Sequence, residues 1–433
     1  MTEAGGLDRW LGKLAPVRPG EGRALLWSFG YFFCLLATYY ILRPLRDEMG
    51  VTGGVRNLPW MFTATFVTVL ICAPLQGLLV AAMPRRIFIP VVFNFFVLNI
   101  AAFWVLLSLH VNDAWVARVF FVWITVFSVF TVSLFWSFMA DLWKSEQAKR
   151  LFGFIAAGGS IGLLVGPSLT VWLAKPIGPV NLLIIAAAVL ELAVLCSWRL
   201  ERAIGAPGQE NKAAAARVGG NGFAGLPLLF KSPYLGGIAA WVFLLSFAGT
   251  FVYLMQAELV RAASDDSAVR TQIFASIELS IGVATILVQM LGTGRLMRRF
   301  GVGIAGAAAP IVFLIGFGVV AFSPGLIVIL AFQALQRSAN FGISNPAREV
   351  WWTPAAREEK YKAKPFVDGV VFRGSDVIHA WLYAAIQSAA GFGISAMAIV
   401  AAPVAALWIA LSFILGRAQE KRAAVQANEP VGG

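Results

Sequence analysis

The segment RLERAIGAPGQENKAAAARVGGNGFAGLPLLFKS, Arg199 to Ser232, decides how this chain is built. It is charged and rich in alanine and glycine, and it holds no apolar run long enough to cross a bilayer. On both sides the sequence changes character. Apolar segments of about 20 residues recur, each long enough at about 1.5 Å rise per residue to cross a hydrocarbon core of about 30 Å. Six precede the segment, at 24–43, 58–82, 87–109, 115–139, 151–174 and 180–198. Six follow it, at 234–260, 271–293, 302–322, 326–347, 366–389 and 393–416. The expected organisation is a tail (1–23), a first six-helix bundle (24–198), a linker (199–233), a second six-helix bundle (234–416) and a closing tail (417–433).

Composition leads to the same class. Of 433 residues 59% are hydrophobic and 13% charged, with a mean hydropathy of +0.78; soluble domains carry roughly 25% charge. An all-α polytopic membrane protein with twelve transmembrane helices is expected. With both termini on the cytoplasmic side, most of the 34 Lys and Arg fall in inner turns such as Arg85–Arg86, Lys144–Arg150 and Arg295–Arg299, as the positive-inside rule requires. The net charge of +12 is therefore spread over many turns and does not form a nucleic-acid-binding patch. The first apolar segment is full length and lacks a small-residue cleavage site, so it reads as a span and not as a secretory signal.

Several chemistries are disfavoured. Cys34, Cys72 and Cys196 sit in three different spans and read as packing residues. The two histidines, His110 and His379, are too isolated for a metal cluster. There is no phosphate-binding G-x-x-x-x-G-K-[ST] loop, and no cluster of nucleophile and base suggests an enzyme. No cofactor is expected, and the chain reads as a monomer embedded in lipid.

The halves repeat weakly. AKRLFGFIAAGGS (148–160) and AKPFVDGVVFRGS (363–375) both begin with Ala-Lys and end with Gly-Ser at the same spacing. Two parallel six-helix repeats joined by a basic linker resemble the plan of the major facilitator superfamily, which implies alternating access of a central site by rocking of the halves. Gly158, Gly162 and Gly166 form a small-residue ridge that reads as a packing face.

Charges at membrane depth are costly, so each one marks a possible site. Arg337 lies near mid-span, and helical spacing places Asn340, Ser344 and Arg348 near its face, with Gln333 one turn earlier. An arginine fork suits phosphate or carboxylate, although a structural ion pair would also account for it. Asp368, Arg373, Asp376 and His379 share one arc of the eleventh span, where Arg373 and Asp376 are spaced to neutralise each other. Glu258 and Glu278 are candidate protonatable coupling groups, Glu191 a weaker one, and Asp141 either caps its helix or pairs with Lys144. In YYILRPLRDEMG (39–50), Arg43 and Asp47 are spaced to bridge and Pro44 is expected to bend or end the helix. This stretch, with Arg46 and Glu48, reads either as a polar helix edge or as part of a site for a charged solute.

Four segments carry a family resemblance: LRPLRD (42–47), FWSFMADLWKSEQAKRLFG (135–153), REVWWTP (348–354) and EEKYKAKPFVDGVVFRG (358–374). In this order the chain resembles the non-mitochondrial ATP/ADP translocases, nucleotide transporters of plastids and intracellular bacteria. The resemblance implies a transporter of the bacterial cytoplasmic membrane, with Arg43, Arg46 and Arg373 at family positions; together with Arg337 and Asn340, read from charge at membrane depth, they are expected to face an anionic solute. Asp47, Asp141, Glu258, Glu278, Asp368 and Asp376 are expected in coupling or gating. The chain departs from the family after Arg373. Where the family continues Leu-Gly-Lys-Ser-Gly-Gly, this sequence reads GSDVIH, so Asp376 stands in place of a lysine; Ala140 and Asp141 replace an Asn-Gln pair. The expected function is secondary active transport of a small anion, a nucleotide or phosphorylated metabolite. The alternatives are a scaffold or sensor whose cavity is plugged by ion pairs, and a proton-coupled carrier of another metabolite.

Overall fold

The structure, a computed structural model, describes Leu11 and residues 16–82, 85–143, 145–204 and 226–428. Most of the expected linker lies outside these residues. The long elements are helices: α1 (Gly22–Thr52), α2 (Leu58–Ala82, after a 3-10 turn at Val55–Asn57), α3 (Arg85–Ser108), α4 (Asp113–Leu142), α5 (Ser145–Ile177) and α6 (Leu182–Ile204). After the short α7 (Leu226–Lys231) come α8 (Pro233–Ala263), α9 (Ser267–Phe322) and α10 (Leu326–Ala339). A π-turn at Asn340–Ser344 leads into α11 (Asn345–Trp351). Then α12 (Arg357–Phe366) passes through a second π-turn, Val367–Val371, into α13 (Phe372–Ala390), and α14 (Ile394–Asn428) ends the series. No strand occurs among the described residues. Eleven helical segments among them are long and apolar enough to cross a membrane. The segment expected at 366–389 is helical but outside that set, and it is the stretch that carries Asp368, Arg373, Asp376 and His379.

Two expectations are corrected. Pro44 does not end the first helix, since α1 continues to Thr52 and carries the whole of YYILRPLRDEMG. A proline removes one intrahelical hydrogen bond, and here packing of α1 against α4, α5 and α6 sustains the helix. The spans expected at 271–293 and 302–322 correspond to two membrane-length stretches, Ser267–Met290 and Arg299–Phe322, that run on in one helical element, α9, in which Gly301 adopts a φ of +82°. The tenth and eleventh spans are each interrupted by a π-turn, a local widening with no signature in hydrophobic periodicity.

The chain divides into two compact units: Met1–Gly54 with Val67–Ala216 and Ser264–Leu279, and Val55–Phe66 with Arg217–Ala263 and Ser280–Gly433. In the first, α1 is the central helix. Its buried Tyr31 meets Phe93 and Phe135 edge to face, while Phe32 stacks on Phe135 at 4.2 Å. The glycine ridge of α5 lies directly against it. A Cβ at Gly158, Gly162 or Gly166 would fall 2.5–2.7 Å from the carbonyl oxygens of Phe29, Phe33 and Ala37. At the start of α1, Glu21 accepts hydrogen bonds from Arg150 and Gln147 of α5. Burial pushes the Glu21 carboxyl up, but Arg150, the Arg18 backbone N–H and Gln147 outweigh that and hold it below the usual range.

In the second unit a tryptophan cluster, Trp241, Trp351 and Trp408, is fully buried between α8, α11 and α14. Pro310 within α9 cannot donate to the Gly306 carbonyl. The Ser412 hydroxyl of α14 lies 3.4 Å from that oxygen and 2.9 Å from the Trp408 carbonyl, so one proton serves both, and it accepts from Trp241 Nε1 at 2.9 Å. In a bilayer such freed backbone groups must be met from within the protein. Ser344, in the first π-turn, serves α9 similarly by donating to the Ala305 carbonyl and accepting from the Ala309 N–H.

Candidate functional site

In the first unit the end of α1 and the start of α9 form a cluster of arginines and carboxylates. Because α1 stays helical beyond Pro44, Asp47 and Glu48 lie one turn after Arg43. The ion pair of Arg43 is with Glu278 of α9, Nε to Oε1 at 3.1 Å, and not the expected bridge to Asp47. Glu278 is almost completely buried. The Arg43 guanidinium also lies 5.9 and 6.0 Å from the ring centres of Tyr39 and Tyr40. Arg46 stands 4.3 Å over the Phe121 ring and 3.7 Å from Asp47.

One turn further, Arg270 reaches Glu48 with Nη2 at 2.5 Å and Nε at 3.2 Å, and Thr52 donates to the same carboxylate oxygen at 2.9 Å. Arg270 is held in place by donating to the backbone carbonyls of Ser264 and Asp265. Sequence reasoning missed Arg270 altogether. It sits in the first turn of α9, one residue before the span expected at 271–293, and its partner lies 222 positions earlier, so no local pattern links them.

The second unit holds the remaining candidates in separate groups. Arg337 lies 5.6 Å from the Phe341 ring centre. Asn340 opens the first π-turn and is buried, with no hydrogen-bond partner for its Oδ1 among the described residues. The π-turn also breaks the common face expected for Arg337, Asn340, Ser344 and Arg348, since Ser344 is committed to α9. Arg348 pairs instead with Asp368 of the second π-turn at 3.2 Å, and Lys364 pairs with Glu349.

On α13, Arg373 and Asp376 face each other at 3.5 Å. Asp376 also accepts from Ser246 of α8 at 2.7 Å, and the same hydroxyl lies 3.3 Å from His379 Nδ1. His379 is enclosed by Phe243 and Phe247. Glu258 is elsewhere on α8, accepting from Tyr383 at 3.2 Å and Gln387 at 2.9 Å. Glu191 is on the exposed side of α6. Asp141 lies in the last turn of α4; its side chain is outside the described residues, as is its expected partner Lys144. No group of three or more His, Cys, Asp or Glu among the described residues is placed to hold a metal ion.

What this helical assembly belongs to is settled by its sequence relatives. The family model described as TLC ATP/ADP transporter matches residues 96–331, more than half of the chain. The chain belongs to the TLC ATP/ADP transporter family. Relatives of this TLC-family protein include the ADP,ATP carrier protein 1 of Chlamydia muridarum, 22% identical over 428 residues, covering 83% of this chain and 81% of the carrier. The ADP,ATP carrier protein 1 of Chlamydia trachomatis gives the same identity and coverage. Among solved structures, the nucleoside transporter NupG superposes with a TM-score of 0.63 at 15% identity, over 93% of this chain and 100% of its own. A bacterial homologue of the iron transporter ferroportin, in an inward-facing state, gives 0.66 at 13% identity, over 92% and 98%. The TLC-family chain therefore has the major facilitator fold and is a multi-pass membrane transporter, not an enzyme.

Proposed function

We propose that this TLC-family transporter moves a nucleotide or a similarly phosphorylated anion by alternating access between two six-helix halves, 24–198 and 234–416. We place it in a bacterial cytoplasmic membrane with both termini inside. The observation that carries the reading is the pair of arginines on α1, held against aromatic rings and carboxylates at membrane depth. Guanidinium forks match phosphate geometry. A phosphate oxygen can take the place of the Glu278 carboxylate on Arg43, so solute and Glu278 would compete for one cation. Arg337 and Asn340 offer a further cation and amide in the second unit, beside a π-turn of the kind often found at functional sites.

Thermal-shift screening of the purified chain against ATP, ADP, phosphorylated sugars, organic acids and neutral metabolites tests this, followed by exchange of the best binder in vesicles. Phosphorylated solutes should stabilise the protein, and Arg43→Ala and Arg337→Ala should each lose that stabilisation. Stabilisation by neutral metabolites alone would defeat the reading. A solute with less negative charge than a nucleotide is the second reading, favoured by Asp376, which places a carboxylate beside Arg373.

A further inference from the structure

One face of α13 carries Asp376, His379, Tyr383 and Gln387 at spacings of three, four and four, which align on a helix. That face packs on α8, where Ser246, Phe247, Phe251 and Glu258 meet it. The result is a polar seam through an otherwise apolar pair of helices. At one end Ser246 joins Asp376 and His379, and Asp376 is balanced by Arg373. At the other end, roughly 18 Å further along α8 at the α-helical rise, stands Glu258. A layer of rings separates the two ends, with the Phe247 and Phe251 ring centres 4.2 Å apart and those of Phe251 and Tyr383 5.1 Å apart.

Glu258 differs in kind from the paired carboxylates of the molecule. Glu48, Glu278, Asp368 and Asp376 each have an arginine partner. Among the described residues no cation forms an ion pair with Glu258, and its neighbours are the neutral donors Tyr383 and Gln387. The elements packed on α8 bring Arg56, Lys231, Arg337, Asp368, Arg373 and residues of α14, yet none of these pairs with it. Both donors point at Oε1, and among the described residues no hydrogen bond reaches Oε2. Donors aimed at one oxygen suit a carboxyl group that keeps its other oxygen for a proton.

We propose that the α8–α13 seam is a proton-coupling site, in which Glu258 Oε2 takes a proton from water and returns it, while Tyr383 and Gln387 hold Oε1. Solute movement is thereby linked to proton movement. The proposal rests on the reading of the chain as a secondary transporter and adds its coupling ion.

The test uses the full chain in lipid vesicles with ATP as the probe solute, in sodium-free and sodium-containing buffer. A pH gradient should drive ATP uptake in the native protein without sodium. Glu258→Gln should lose the gradient-driven part of the uptake while ATP still raises its thermal midpoint. Infrared titration of the same vesicles without solute should show a protonated-carboxyl band that is absent in Glu258→Gln and titrates at a shifted pH in Tyr383→Phe. An unchanged band in Glu258→Gln, a gradient response equal to native, or a sodium requirement would each overturn the proposal. If Glu258→Gln does not fold, Tyr383→Phe decides: a titration midpoint identical to native overturns it. Native protein that neither binds nor takes up ATP would defeat the nucleotide reading instead, and the infrared titration, which needs no solute, still decides the seam.

Discussion

Arg43 shows how a buried charge is made tolerable and what that implies when its partner is lost. Its pairing with Glu278, itself buried, removes two charges from lipid at once. Deleting either partner leaves the other uncompensated, a loss of about 3–5 kcal/mol for buried pairs in general. Glu278→Gln and Arg43→Gln should therefore each lower the thermal midpoint strongly, and the double variant should lose much less than the sum. A double-mutant cycle on purified protein measures this, and additive losses would show that the two side chains do not interact. At this scale the sequence was partly legible. The cost of charge in a membrane singled out Arg43, Arg46, Glu258 and Glu278, and the spacing of Asp376 and His379 on one arc of a helix marked what became the α13 face. What it could not supply was partnership. Arg43 had a plausible local partner in Asp47 at four residues, yet pairs with Glu278; Glu48 pairs with Arg270, 222 positions away. Helical spacing constrains neighbours on one helix and says nothing of which distant helix comes alongside.

Among the elements, α5 is the one whose sequence most directly states its packing. Its glycine ridge reads as a contact face, and the contact is with the backbone of α1. A Cβ at Gly162 would come 2.6 Å from the Phe33 carbonyl and 2.8 Å from the Ala37 nitrogen, backbone atoms that cannot rotate away. Gly162→Ala should therefore destabilise the protein by about 1–3 kcal/mol, the usual range for overpacking. Gly153→Ala on the same helix, where the added carbon meets nothing within 4 Å, should be neutral or stabilising by up to about 1 kcal/mol. Thermal unfolding of the two variants side by side checks both. The π-turns are the opposite case. Nothing in the apolar pattern of 326–351 or 357–390 announces an extra residue in a turn, because hydrophobicity records which faces are buried and not how tightly the backbone is wound. The turn at Asn340 nevertheless redirects every polar group after it.

For the whole molecule, the number and length of apolar segments were sufficient to establish an all-helical membrane protein, and motifs spread over both halves pointed to the family that the matched residues 96–331 establish. The orientation we propose from the distribution of charge is open to direct test. In right-side-out vesicles of a cysteine-replaced background, a cysteine introduced at Asn112 should react with an impermeant maleimide. One at Glu420 should react only after permeabilisation, and the reverse labelling would invert the topology. The same basic residues bear on how the chain enters the membrane. At about 1.5 Å per residue the 56 residues of α9 would extend roughly 84 Å, nearly three times a hydrocarbon core of about 30 Å. They must instead make two crossings, Ser267–Met290 and Arg299–Phe322. Gly301, with its left-handed φ of +82°, lies beside Arg295, Arg298 and Arg299. During synthesis this stretch would reach the insertion machinery as a helical hairpin, its two limbs partitioning into lipid together while the arginine-rich bend is retained on the side where it was made.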